Sequence, residues 1–106
     1  MTKKEVQRRV LQCGKPLGSR LFTWDEKTRT FSSHESYLVI DFMGIGNCNF
    51  ETGFDCTFET GPGCTFKTGS RCVVVRRRDV YEVIEFTGQK IKLNSWGIKG
   101  FVVLSE

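Results

Sequence analysis

The chain has 106 residues, 39% of them apolar and 12% aromatic, with a formal net charge of +4. This length supports one domain with a modest core rather than two independent ones, and this composition excludes disorder. No apolar stretch is long enough to span a membrane and no secretory core follows Met1 to Arg9, so a cytoplasmic protein without membrane partners is expected.

The positive charge belongs to the two ends: residues 1–20 carry six Lys or Arg against one Glu, residues 76–106 are net +2, and residues 47–75 are net −1. At the N-terminus Thr2 reads as a helix N-cap, with Glu5 completing a capping box. Val6, Val10 and Leu11 at helical spacing predict an amphipathic helix over residues 3–12, ended by Cys13-Gly14-Lys15-Pro16 and covering an open end of the β structure. Residues 21–31 read as a hairpin: an aromatic strand through Phe22 and Trp24, a polar turn at Asp25-Glu26-Lys27, and a returning strand that brings Phe31 back against them. Residues 32–36 form a loop. His34, the single histidine, is read there as an exposed side chain rather than a catalytic base. Residues 37–42 form a strand.

Residues 46–75 organise the chain. Cysteines stand at 48, 56, 64 and 72; Phe50, Phe58, Phe66 and Val74 come two residues later; Thr-Gly closes the first three units. Cys-x-Phe has the period of a strand, so both side chains share one face while Asn49, Thr57 and Thr65 take the other. The Thr-Gly-x-x segment after each strand turns the chain, with glycine supplying positive φ where required. One such unit cannot bury its apolar face alone, and stacking copies provides the core. The expected architecture is all-β: a small β-solenoid built on an eight-residue repeat, with an N-terminal capping helix and flanking β-strands. An antiparallel meander is the alternative. A two-faced coil would set Glu51 over Lys67 and Cys48 over Cys64, whereas a three-faced coil would set Cys48 over Cys72. The whole is one domain, residues 1–106, divided into helix, hairpin and strand (1–45), octads (46–75) and C-terminal strands (76–106). Cys48, Phe50, Cys56, Phe58, Cys64, Phe66, Cys72 and Val74 are its expected structural core.

Five cysteines are an odd count, and the strand period explains four of them as buried, reduced thiols. Zinc sites pair cysteines two to four residues apart, which this chain does not do; disulfides between neighbouring units are the other alternative. No metal and no cofactor is expected. A flat threonine row suited to ice would need more than Thr57 and Thr65.

After Val75 the period breaks at Arg76-Arg77-Arg78. Strands are expected at 80–86, 89–93 and 101–104, with a turn-rich link at 94–100. Arg76, Arg77 and Arg78, with Lys90, Lys92, Tyr81 and Trp96, form a candidate binding patch that offers charge and stacking to a nucleic acid. Asp79, Glu82 and Glu85 interleave with it. The chain has no nucleophile elbow, phosphate-binding loop, dinucleotide fingerprint or metal motif, so no catalytic residue is assigned and no enzyme is expected. A non-enzymatic protein-binding module that also self-associates as a homodimer is the expected function, with nucleic-acid binding through the basic patch as the alternative.

The tandem Cys-Thr-Phe-x-Thr-Gly units, Cys56 to Gly61 and Cys64 to Gly69, resemble those of short-repeat proteins from phage and bacterial genomes. The flanks Phe22 to Thr28 and Cys72 to Arg77 are similar to theirs as well. The resemblance implies a β-solenoid of phage or mobile-element origin and a small inhibitor of a host factor; it carries over no catalytic residues.

Overall fold

Alternation of apolar and polar residues every second position makes strands that bury one face, and such strands need an opposite layer. In the computed structural model, which describes residues 1–104, that layer is a second sheet. The helix α1 spans Lys3–Gln7. Twelve strands come after it, beginning with β1 Val10–Gln12, β2 Lys15–Pro16, β3 Thr23–Asp25, β4 Thr30–Ser32, β5 Leu38–Asp41 and β6 Asn49–Glu51. The rest are β7 Thr57–Glu59, β8 Thr65–Lys67, β9 Cys72–Arg76, β10 Glu82–Phe86, β11 Ile91–Leu93 and β12 Phe101–Val103. One six-stranded sheet has the order β10-β9-β7-β5-β1-β2, and the other β12-β11-β8-β6-β4-β3.

The fold corrects the β-solenoid expectation. The domain is all-β with two open six-stranded sheets and one helix, and the sheets are neither closed nor curled. Successive octads go to opposite sheets, so four octads supply only two strands to each. Parallel pairing is confined to β4-β6-β8 and β5-β7-β9, and every other pairing in both sheets is antiparallel. Within the parallel part the spacing is sixteen residues: Phe50 pairs with Phe66 and Glu51 with Lys67. The flanks supply strands at the same rungs, Phe31 beside Phe50 and Ile40 beside Phe58.

The aromatic side chains join the two sheets. The Phe58 ring lies 5.3 Å from that of Phe50 and 4.9 Å from that of Phe66. β7 therefore sits over the groove between β6 and β8 of the other sheet. Phe31, Phe42, Phe50, Phe58, Phe66, Cys48, Cys56, Cys64, Cys72 and Val74 are all buried, and Thr57 is exposed.

The corners between sheets use glycine differently from the sequence expectation. Positive φ falls on the residue before each cysteine, Asn47, Asp55, Gly63 and Arg71, and not on the Thr-Gly glycines. Those glycines are needed for space: a Cβ on Gly61 would stand 2.9 Å from the Gly44 carbonyl carbon, and one on Gly69 2.8 Å from the Phe54 nitrogen. The threonine hydroxyls turn inward; Thr60 Oγ1 donates to the Gly61 carbonyl at 3.1 Å and Thr68 Oγ1 to that of Gly69 at 3.0 Å.

All five cysteines are free thiols, and only Cys13 is exposed. The others meet in two pairs: Cys48 N donates to Cys64 Sγ at 3.5 Å, and Cys56 N to Cys72 Sγ at 3.4 Å. Hydrogen bonding within each pair separates the two thiols. Cys64, and then the guanidinium of Arg29, pull Cys48 down, while Cys48 and burial push Cys64 up. Cys56 is pushed up by Cys72 and by burial.

At the N-terminal end the capping box expected at Thr2 and Glu5 is present. The helix is shorter than expected, because Val10–Gln12 leave it to pair with β5, burying Val10 beside Ile40. Cys13 and Gly14, both at positive φ, form the two-residue turn into β2, whose strand is only Lys15–Pro16. The first turn of α1 lies against β3: Trp24 Nε1 donates to the Met1 carbonyl at 2.8 Å, and Lys3 Nζ sits 4.9 Å above the Phe22 ring.

Candidate interaction surface at the C-terminal end

The residues grouped from sequence as a basic patch part company at the end of β9. That strand buries alternate positions, Cys72, Val74 and Arg76, so the first arginine of the run follows the cysteine inward. Arg76 is fully buried. Its inclusion among the binding residues is therefore corrected: strand parity takes it out of reach of any partner.

Arg76 instead organises the loop between β11 and β12. Nη1 donates to Glu82 Oε1 and to the Ile98 carbonyl, both at 3.0 Å. Nη2 donates to Asp79 Oδ2 and, at 3.4 Å, to the Ser95 carbonyl. The two carboxylates reach the same loop from the other side, since Asp79 Oδ2 accepts from Gly97 N and Glu82 Oε2 from Gly100 N, each at 2.8 Å. These bonds tie the loop from Ser95 to Gly100 to the ends of β9 and β10, with each charge paired inside the protein. Burial pushes the Asp79 carboxyl up, but the Gly97 amide, the Arg76 guanidinium and its own backbone amide outweigh that and hold it below the usual carboxylate range.

The pinned loop presents apolar side chains outward: Trp96 is 69% exposed and Ile98 54%. Tyr81, immediately before β10 and adjacent in sequence to Glu82, is 64% exposed. A large apolar side chain held on an ordered loop loses little conformational entropy on binding, which is what an interface anchor requires. The remaining basic residues do not gather into one field. Arg77 is half-exposed and bonded to Glu59 Oε1 at 2.6 Å, Arg78 lies over Gly44, and Lys92 stands on the outer face of β11. Lys90 is half-buried, its carbonyl accepting from Leu104 N at 2.8 Å. His34 lies elsewhere, in an open groove with Arg20, Glu51 and Lys67.

Ile98 lies outside the residues grouped from sequence, and Phe101, Val102 and Val103, expected as part of a strand over 101–104, are exposed as well. Their signal was present in the uninterrupted Phe101-Val102-Val103 run, which has no polar residue to mark an outer face. Among the described residues no group of three or more His, Cys, Asp or Glu side chains is arranged to hold a metal ion, and no helix is long and apolar enough to cross a membrane. No protein-family model, curated protein or solved structure matches the chain.

Proposed function

We propose that the protein is a non-enzymatic protein-binding module whose partner docks on the loop carrying Trp96 and Ile98. The observation that carries this reading is the pairing of an exposed tryptophan with a buried Arg76, Asp79 and Glu82 cluster that holds its loop in place. The Arg76, Asp79 and Glu82 side chains are engaged in positioning the loop, and Trp96 and Ile98 are the large apolar side chains it leaves to solvent. Interfaces concentrate their binding energy in such aromatic anchors, each contributing about 2 kcal/mol or more on truncation.

The test is recovery of bound protein from the cells that produce the chain, comparing the wild type with Trp96→Ala and with Leu11→Ala at the opposite end. Loss of one specific protein with Trp96→Ala and its retention with Leu11→Ala is the expected result. Recovery of nucleic acid in place of protein, released steeply as salt rises, would favour the basic residues and overturn this reading.

A further inference from the structure

The two ends of the sheets are finished differently. At the N-terminal end, β2 is a two-residue edge made of Lys15 and Pro16, a charge and a residue with no N–H, and α1 lies against β3. These are devices by which proteins block strand addition. At the C-terminal end, β10 carries Glu82 and Glu85, whereas β12, Phe101–Val103, has no charge and no proline. In β12 the problem goes deeper than an open edge. Phe101 and Val103 stand directly opposite Leu93 and Ile91, and directly paired residues share a face, so they point towards the core side of the sheet. Yet Leu93 and Ile91 are 1% and 0% exposed, whereas Phe101 and Val103 are 39% and 59% exposed. The other sheet ends at β10, and β12 projects beyond it with its inner face uncovered.

We infer that the occupant of this step is a second copy of the chain, joined in a two-fold lap in which each β12 lies beside the partner's β10. This rests on reading the protein as a protein-binding module and adds a second partner to it. The shape argues for it. Strands of the two sheets are offset by half a strand spacing, so a copy turned about an axis along the strands brings its own projecting β12 into the position next to β10. In that arrangement Phe101 and Val103 of the two copies pack on each other, and both sheets continue without a gap. Directions also agree. β12 runs with β8, from which it is separated by two antiparallel pairings, and β10 runs with β8 because β9 folds back from it. An axis along the strands preserves direction, so the new pairs are parallel, like β7 with β9. Joining β12 to β12 instead would leave one strand missing between the two copies of β10.

The outer faces favour the same choice. Val83 and Glu85 lie on the outer face of β10, and Lys92 and Val102 on the outer face of β11 and β12. The lap places Val102 of one copy beside Val83 of the other, so exposed apolar side chains meet on the outer faces as well. The two loops bearing Trp96 then stand at the same end of the dimer, a bivalent surface for the protein that docks on Trp96.

Sedimentation equilibrium over a concentration series tests the association. The expected mass is twice 12.1 kDa, returning to the monomer with Phe101→Asp and unchanged with Trp96→Ala. Crosslinking in a Cys13→Ser background tests the arrangement, and does not depend on the aspartate variant folding. A mixture of Val83→Cys and Val102→Cys chains should be joined by a short bismaleimide, while neither variant is joined to itself, because the paired copies put like positions on opposite outer faces. A mass of 12.1 kDa at every concentration overturns the inference and leaves the Trp96 partner to its own test. Self-crosslinking of either single variant overturns the lap.

Discussion

Phe58 and Thr57 are adjacent in sequence and opposite in consequence. Phe58 touches Phe50 and Phe66 in the other sheet, and no neighbour can collapse into its place without moving the stack. Phe58→Ala should cost about 3–5 kcal/mol in urea unfolding, while the exposed Thr57→Ala should stay within about 0.5 kcal/mol. A comparable loss at both positions would contradict the inward and outward assignment. Thiol chemistry divides residues in the same way. Cys13 should react with a thiol reagent at once in the native protein, and the four buried cysteines only on unfolding; more than one rapid thiol would refute this. These assignments were legible in the sequence because period two alone sets them. Arg76 was not read correctly, although the same parity applied to it: a run of three arginines suggested a surface, while its second-neighbour relation to Val74 and Cys72 marked it as inward. Arg76→Met leaves Asp79 and Glu82 buried without their counter-charge, and should cost about 3–5 kcal/mol.

Among the elements, the loop from Ser95 to Gly100 depends most on charge. The Asp79 carboxyl is depressed in the folded state, so its contribution is fully present above the unfolded value of about 3.9 and is lost as pH falls through the lower folded value. Trp96 emission, followed in a Trp24→Phe background, should hold steady down to about pH 4 and change only below it; Asp79→Asn should remove that step. A change already complete above about pH 4 would place the carboxyl's pKa on the wrong side. The hairpin of β3 and β4 and the strand β5 were readable from aromatic and β-branched runs flanked by polar turns. The length of α1 was not. Val10, Leu11 and Gln12 satisfy a helical spacing and a strand alternation equally, and the choice is made by Ile40, distant in sequence and directly opposite Val10 in the sheet. β12 was readable as a strand, but its apolar run says nothing of what lies above it.

Across the whole molecule, both ends are basic and they differ in closure: one is capped, and the other exposes the apolar residues of β12. Sequence showed the shared charge as a count. The difference in closure depends on where each sheet stops, which no local pattern encodes. The placement of consecutive octads in opposite sheets has a further consequence for chain length. An inserted octad with its own left-handed residue before the cysteine would carry every later strand to the opposite sheet, while each strand keeps the kind of neighbour it has now. The end bearing Trp96 would come round by half a turn relative to α1, and a second insertion would bring it back, one strand spacing of about 4.8 Å further out. Spin labels on Cys13 and on a Trp96→Cys variant should therefore report two interleaved series of separations as octads are added, each series lengthening by about 4.8 Å per pair of octads. A smooth drift would refute the rule, and insertions of four or six residues should fail to fold. Reach and angular offset between the two ends of this protein are counted in the same eight-residue step.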